Sequence, residues 1–187
     1  MKQMYLFLTI SFAVLALTTG QRLRARCPNV DTKPDFNISR YEGDWFEDRR
    51  SVTRFQFGLT CSKANYVVLG NGDIRVTNTG ITKWFQYAIT VTGIATVPDS
   101  GKPGRLSISF NGGDPGPYLV LDTDYDNFAL VYTCKSYGLF ATETLWVLKR
   151  RRSFVLQGAL RSRIIAKLDM YNISINRLIT TDASDCR

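Results

Sequence analysis

A chain of 187 residues with 44% apolar, 12% aromatic and 21% charged side chains has material for one substantial core and too ordinary a composition for disorder or collagen. It carries a formal net charge of +8, four cysteines and no histidine, which removes the commonest general base, the commonest zinc ligand and every triad built on imidazole. Enzyme chemistry, a bound metal and a cofactor are accordingly not expected.

The amino terminus reads as a secretory signal. Lys2 supplies a positive start, Tyr5 to Leu17 is an apolar run broken only by Thr9 and Ser11, and Thr18-Thr19-Gly20 offers small residues for cleavage. Residues 1–20 are assigned to the signal and residues 21–187 to one domain, secreted and extracellular. The apolar run is short for a membrane span, and no later segment approaches the roughly 20 apolar residues a spanning helix needs. In an oxidising compartment Cys27, Cys61, Cys134 and Cys186 read as two disulfides. Their wide spacing excludes CxxC motifs, while the pairing stays open among three alternatives. Asn37-Ile38-Ser39 and Asn172-Ile173-Ser174 satisfy the N-glycosylation rule and mark Asn37 and Asn172 as expected surface positions.

After a polar lead-in containing Pro28 and Pro34, Ser39-Arg40-Tyr41-Glu42 has capping-box spacing, which predicts one helical turn before Gly43. The period then changes to that of strands. Runs over 45–52, 65–69, 74–78, 84–97, 106–110, 118–121, 128–134 and 142–148 are rich in aromatic and β-branched residues. Turn signals separate most of them: Gly70-Asn71-Gly72-Asp73, Asn78-Thr79-Gly80, Pro98-Asp99-Ser100-Gly101 and Asp122-Thr123-Asp124. Short connections imply antiparallel neighbours, and eight such strands imply an all-β domain, an up-and-down barrel or a sandwich.

Within the run from Phe85 to Val97, every second residue (Phe85, Tyr87, Ile89, Val91, Gly93, Ala95, Val97) builds one apolar face, read as buried. The opposite face, with Trp84, Gln86, Ala88 and Thr90, is weakly polar and is expected to line a cavity or lie against another element. From Ser153 to about Met170, Leu156, Leu160, Ile164 and Leu168 recur every four residues, predicting one amphipathic helix packed outside the sheet. A short alternating stretch, Ile173, Ile175, Leu178 and Ile179, then leads to Cys186.

The ordered motifs resemble the lipocalins. Gly43-Asp44-Trp45 at the first strand, Thr123-Asp124-Tyr125 opening the seventh and Arg150 after the eighth match the three short regions of that family. Cys27-Pro28-Asn29, Ala64-Asn65-Tyr66, Asn71-Gly72, Ala129-Leu130-Val131-Tyr132 and Trp146-Val147-Leu148 stand in the order of its apolipoprotein D-like branch, which includes insect bilin-binding proteins and Lazarillo.

The resemblance implies an eight-stranded calyx with an exterior helix and disulfides Cys27–Cys134 and Cys61–Cys186. It implies that Asn78, Phe110, Tyr118 and Trp146 face a small hydrophobic ligand, with Asn78 and Tyr118 as hydrogen-bonding groups and Phe110 and Trp146 as aromatic walls. Gly43, Trp45, Thr123, Asp124, Tyr125 and Arg150 are structural in that pattern, Arg150 stacking over Trp45 at the barrel floor. The expected function is a secreted carrier of a fatty acid, sterol, retinoid, carotenoid or bilin, acting as a monomer or homo-oligomer. The alternative is an oligomeric pigment-binding structural protein of the crustacyanin type. The run Lys149-Arg150-Arg151-Arg152 adds a weak polyanion or receptor contact as a minor reading, and secretion argues against nucleic acid. Asn111-Gly112-Gly113-Asp114 stands where apolipoprotein D has large apolar loop residues, so no stable membrane insertion is expected through that loop.

Overall fold

The computed structural model describes residues 22–24 and 26–186, so the expected signal segment, residues 1–20, lies outside the described residues. The strands are β1 (Arg22–Arg24), β2 (Gly43–Arg50), β3 (Leu59–Val68), β4 (Ile74–Thr82), β5 (Ala88–Thr96), β6 (Arg105–Phe110), β7 (Gly116–Thr123), β8 (Phe128–Ser136), β9 (Ala141–Lys149) and β10 (Ile179–Thr180). Two helices, α1 (Ile38–Tyr41) and α2 (Gly158–Asp169), flank them. From β2 to β9 each strand pairs antiparallel with the next, and β9 returns to β2, closing an eight-stranded barrel. β1 extends β9 outside the ring and β10 extends β2. Closure removes the free edges that an open sheet of this size would expose.

Alternation along the strands divides the apolar residues between two cores. Inward side chains form the first, including Trp45, Tyr66, Ile74, Val76, Leu106, Ile108, Val120 and Val131. The outward side chains of β7, β8 and β9, among them Leu121, Leu130, Tyr132 and Val147, form the second with Ile164 and Leu168 of α2. That is why Phe128 to Tyr132 is buried at five consecutive positions: one face meets the barrel interior and the other meets the helix. Arg163 of α2 adds a two-pronged contact with Asp122 at 2.7 and 2.6 Å, which holds the helix against β7.

The ends of the chain are fastened to this frame. Cys27 is bonded to Cys134 on β8, and Cys61 on β3 is bonded to Cys186 in the tail. β3 carries a register shift between Thr60 and Lys63, with Cys61 at a left-handed φ of 55°. There β3 leaves β2, and the tail fills the seam: β10 pairs with Arg49 and Arg50, Thr181 N–H donates to Asp48 C=O, and Cys61 N–H donates to Asp182 C=O.

Several local expectations change. The helical turn before Gly43 is capped by Asn37, whose side chain accepts from Arg40 N–H, while the Glu42 carboxylate reaches across to Val68 N–H. Asn78-Thr79-Gly80 is not a turn but the middle of β4, because pairing with both β3 and β5 outweighs local turn propensity. The residues from Trp84 to Tyr87 form the β4–β5 turn rather than the start of a strand, and Phe85 is 72% exposed. The apolar face of β5 is therefore buried only toward Ala95, and its other face, with Ala88, Thr90 and Thr92, meets solvent instead of a cavity. Helix α2 begins at Gly158, whose φ of 57° turns the chain so that Ser153 to Gln157 cannot continue the helix backward.

Candidate functional site

One end of the barrel is closed by residues that approach from three separate segments. Arg150 follows β9 and lays its guanidinium 3.9 Å from the ring centroid of Trp45, which is fully buried. Its N–H groups donate to the carbonyls of Tyr125 (2.6 Å), Glu42 (2.7 Å), Asp44 (3.2 Å) and Arg40 (2.7 Å). Gly43 opens β2 opposite Tyr66, and Trp45 donates its indole N–H to Tyr41 C=O at 2.9 Å. The β7–β8 connection supplies the rest of the plug. Thr123 donates to Phe128 C=O at 2.6 Å, and Tyr125 accepts from Asn37 N–H while donating to Asp35 C=O. Asp124 accepts from the backbone N–H groups of Asp126, Asn127 and Phe128. Burial pushes the Asp124 carboxyl up, but the Asn127 amide and those three N–H groups outweigh it and hold the group below the usual carboxylate value.

Just above this floor, three phenols from α1, β3 and β7 converge. The Tyr118 hydroxyl lies 2.6 Å from that of Tyr66 and 3.2 Å from that of Tyr41. Burial raises all three acidities' midpoints, Tyr66 to about 12 and Tyr41 and Tyr118 well above the ordinary value, so the cluster is neutral at physiological pH. Tyr118 is the only one of the three left partly exposed.

A second polar group is built into the wall near the opposite end. Glu47 and Arg50, both buried, face inward on either side of the β2 register shift and pair at 2.7 Å. The Glu47 carboxylate also accepts from Thr181 Oγ1 at 2.6 Å and from Gln56 Nε2 at 2.8 Å, so the tail that fills the β2–β3 seam contributes a hydroxyl to the interior. Arg50 donates to Gln56 C=O at 2.7 Å, and the Gln56 side-chain oxygen accepts from the Trp146 indole N–H at 2.9 Å. These bonds replace water around the Glu47 carboxylate and the two terminal nitrogens of Arg50, while Arg50 Nε is buried without a partner. The chain of contacts fixes Trp146 in the wall and ties the β2–β3 loop to it.

Between the phenols and the mouth lie the residues expected to face a ligand. Asn78 follows Val76 on the inward face of β4, opposite Val91, and is exposed. Phe110 is half-buried with its ring against Gly93, where a Cβ would stand 2.7 Å from the ring. Trp146 is half-buried on β9, and Tyr118 marks the lower limit. The four thus occupy inward positions at graded depth, with Tyr118 and Trp146 already hydrogen-bonded to protein. Sequence reading missed Tyr41, Tyr66, Glu47, Arg50, Gln56 and Thr181. Tyr66 and Glu47 carry strand alternation that could have placed them inward, whereas Arg50 turns inward only through the register shift after Glu47, and nothing local announces Thr181 or Gln56 as interior groups.

Around the mouth, large apolar side chains stand in solvent: Phe55 and Phe57 before β3, Trp84, Phe85 and Tyr87 before β5, and Leu139, which is 94% exposed, before β9. The loop with Asn111-Gly112-Gly113-Asp114 is polar and exposed. The basic run is divided among different tasks: Lys149 pairs with Asp48 at 3.2 Å, Arg150 turns into the floor, and Arg152 lies over Phe46. Asn37 and Asn172 are both exposed. Among the described residues all cysteines are disulfide-bonded, no cluster of three or more acidic or cysteine side chains could hold a metal ion, and no helix is long and apolar enough to cross a membrane.

A small cavity of about 20 Å³ between the outer wall and the tail, lined by Ser51, Leu145, Ile173 and Leu178, has room for little more than a water molecule. A larger open depression of about 610 Å³ lies outside the barrel between α2 and the tail, lined by Arg161, Ile165, Asp169, Asn172 and Ile175.

Comparison with known proteins agrees with this architecture. The chain is 32% identical to apolipoprotein D of Cavia porcellus over all of its own length and 98% of that protein's. It is 27% identical to the Lazarillo protein of Schistocerca americana over 96% of this chain and 85% of the other. Its fold matches that of insecticyanin from the tobacco hornworm Manduca sexta with a TM-score of 0.76, at 24% identity, covering 88% of this chain and 90% of that one. The lipocalin-like domain family matches residues 36–183, from the plug before α1 to the tail, and the chain belongs to that family.

Proposed function

We propose that the protein is a secreted carrier that holds one small apolar molecule, of fatty acid, sterol, retinoid, carotenoid or bilin size, in the upper half of its barrel. The observation that carries this reading is the gradient along the inward faces. On β4, Ile74 and Val76 are buried whereas Asn78 is exposed, and on β5, Ala95 is buried whereas Ile89 is 41% exposed. A cup closed below by packed side chains and open above suits an eight-stranded barrel, whose interior is wide enough for one small ligand. Phe110 and Trp146 supply apolar contact, and each Å² of apolar surface removed from water contributes about 25 cal/mol.

Secretion is supported by the signal-like residues 1–20 and by two disulfides, which persist in oxidising compartments. Asn37 and Asn172 are the expected glycan positions, both exposed. A carrier rather than an enzyme is the better reading, because the cysteines are paired and the phenols and the Glu47–Arg50 pair are held in hydrogen bonds. Purification from the native source, followed by absorption spectroscopy and mass spectrometry of the organic extract, tests the reading: one apolar compound per chain supports it, and an empty barrel that binds no compound of these classes refutes it.

The exposed aromatic rim favours a second reading, an oligomeric pigment-binding protein in which that rim is covered by another subunit. A chromophore in the visible spectrum that co-elutes with an oligomer in size-exclusion chromatography selects this reading; a colourless monomer removes it.

A further inference from the structure

We infer that the cup takes an amphipathic acid, an apolar chain or ring system ending in a carboxylate, whose charged end stays at the mouth against Lys135 while its apolar end points toward the floor. This deepens the carrier reading and rests on it.

The inference comes from the register of β8 against β9. Val131 and Trp146 stand directly opposite each other and belong to the inner core, and the pairs Thr133–Thr144 and Lys135–Thr142 follow at two-residue steps toward the mouth. Alternation puts all six on the inward face. The intervening positions agree from the other side: Cys134 is bonded to Cys27 and packs against the outer core, and Ser136 Oγ donates to Cys27 Sγ at 3.3 Å. Lys135 therefore lies about 13 Å nearer the mouth than Val131, at about 3.3 Å per residue along the strand. From mouth to floor this wall presents a cation beside a hydroxyl, then two hydroxyls, then Val131 with Trp146, then Ala129 with Leu148. Such a polarity gradient matches a molecule with one charged end and an apolar body.

The sign of the charge follows from what else faces inward. Among the described residues, the inward positions of β2 to β9 carry three ionic side chains, Glu47, Arg50 and Lys135, and the first two pair with each other at 2.7 Å. Lys135 has no carboxylate within ion-pair distance among the described residues; its Nζ stands 5.8 Å from the ring centroid of Tyr137, which is itself stacked on Phe140 at 5.3 Å. A ligand carboxylate accepts from the ammonium, and the threonine hydroxyls of the wall can donate to it as well. A neutral end group gains no such pair, and an alkylammonium meets a like charge. The floor is a poor place for the anion: burial raises the ionisation of Tyr41, Tyr66 and Tyr118 to higher pH, the mark of surroundings that disfavour negative charge. Among compounds of the proposed size, the preference is for those bearing a carboxylate over sterols and hydrocarbon carotenoids.

The test uses one chain length with different ends: dodecanoate, 1-dodecanol and dodecylammonium, titrated by calorimetry into the disulfide-intact protein. Dodecanoate should bind about fivefold more tightly than 1-dodecanol, the ratio expected for one favourable solvent-exposed charge pair, with dodecylammonium weakest. Lys135→Gln should bring the acid-to-alcohol ratio to about one, and Lys135→Arg should keep it. In the unmodified protein the ratio should shrink between about 0.01 M and about 1 M salt, as the screening length falls from about 30 to about 3 Å. Orientation has its own readout in Trp84→Phe: dodecanoate brominated at its apolar end should quench tryptophan emission, and 2-bromododecanoate, with the bromine beside the carboxylate, should not. Equal binding of acid and alcohol by the unmodified protein, a ratio unchanged in Lys135→Gln, or quenching by the 2-bromo acid alone overturns the inference. If none of the compounds binds saturably, the carrier reading itself fails.

Discussion

Replacing Arg150 by methionine keeps the length and apolar stem of the side chain and removes its hydrogen bonds and its charge. Four carbonyls lose a donor, and the one on Arg40 is exposed enough for water to replace it. The three part-buried carbonyls, on Tyr125, Glu42 and Asp44, lose about 1 kcal/mol each net, and the stack over Trp45 is worth about 1 kcal/mol more. The expected loss is about 4 kcal/mol, a large fraction of the stability of an ordinary domain. For a domain of this size that lowers Tm by roughly 8 to 16 °C. Thermal and urea unfolding followed by circular dichroism, with both disulfides intact, measures it. Arg150→Met in the background of Trp45→Phe should lose less than the sum of the single changes, because the stack is counted in both. A variant that unfolds within about 3 °C of the parent would refute the claim that Arg150 is the principal clamp of the barrel floor.

Other outcomes follow from the same contacts. Asp124→Ala removes the carboxylate that caps three backbone N–H groups and should cost about 1 to 2 kcal/mol in urea unfolding, comparable with loss of a helix cap. Because its folded pKa is depressed, the stabilisation from Asp124 is present above the ordinary carboxylate range and is lost as pH falls through the lower folded value, so Asp124→Asn should flatten the acid limb of a stability profile. The three phenols behave in the opposite sense: their folded pKa values are raised, so their contribution is complete below about 10 and declines as pH rises toward about 12, where Tyr66 titrates. Ultraviolet titration at high pH should show late-ionising tyrosines, with one fewer in Tyr66→Phe. Thr181→Val deletes the hydroxyl donated to buried Glu47 and should cost about 1 to 3 kcal/mol, with a change in Trp146 emission that a solvent-exposed threonine would not produce.

The parts of the fold that were legible in the sequence are those with a local period. The eight strand runs and the stripe of Leu156, Leu160, Ile164 and Leu168 repeat at the spacing of the surfaces they bury, and these are the residues found in the barrel and under the helix. What failed was local signal overridden by pairing. Asn78-Thr79-Gly80 has turn composition but lies between two strands that demand its backbone bonds. The residues from Trp84 to Tyr87 are apolar, yet they stand at the mouth, where there is no second layer to cover them.

The interior chemistry was less legible for a different reason. Tyr41, Tyr66 and Tyr118 come from three elements, the first and the last 77 positions apart in sequence. The Thr181 hydroxyl enters the barrel because β3 departs from β2 at Cys61 and the tail takes its place, a consequence of register rather than of composition. Asn78, Phe110 and Trp146 were named through resemblance to a family pattern, and strand alternation alone gives each of them no more than a face.

On the carrier reading, the upper barrel holds one apolar molecule against Trp146. Dodecanoic acid brominated near its end quenches an indole only near contact, and three tryptophans report distinct places: Trp45 in the floor, Trp84 on the rim and Trp146 in the wall. Titration should saturate at one ligand per chain, with quenching that disappears in Trp146→Phe and persists in Trp84→Phe. Quenching that never saturates, or that persists in Trp146→Phe and disappears in Trp84→Phe, would place the ligand on the exposed rim and contradict the account.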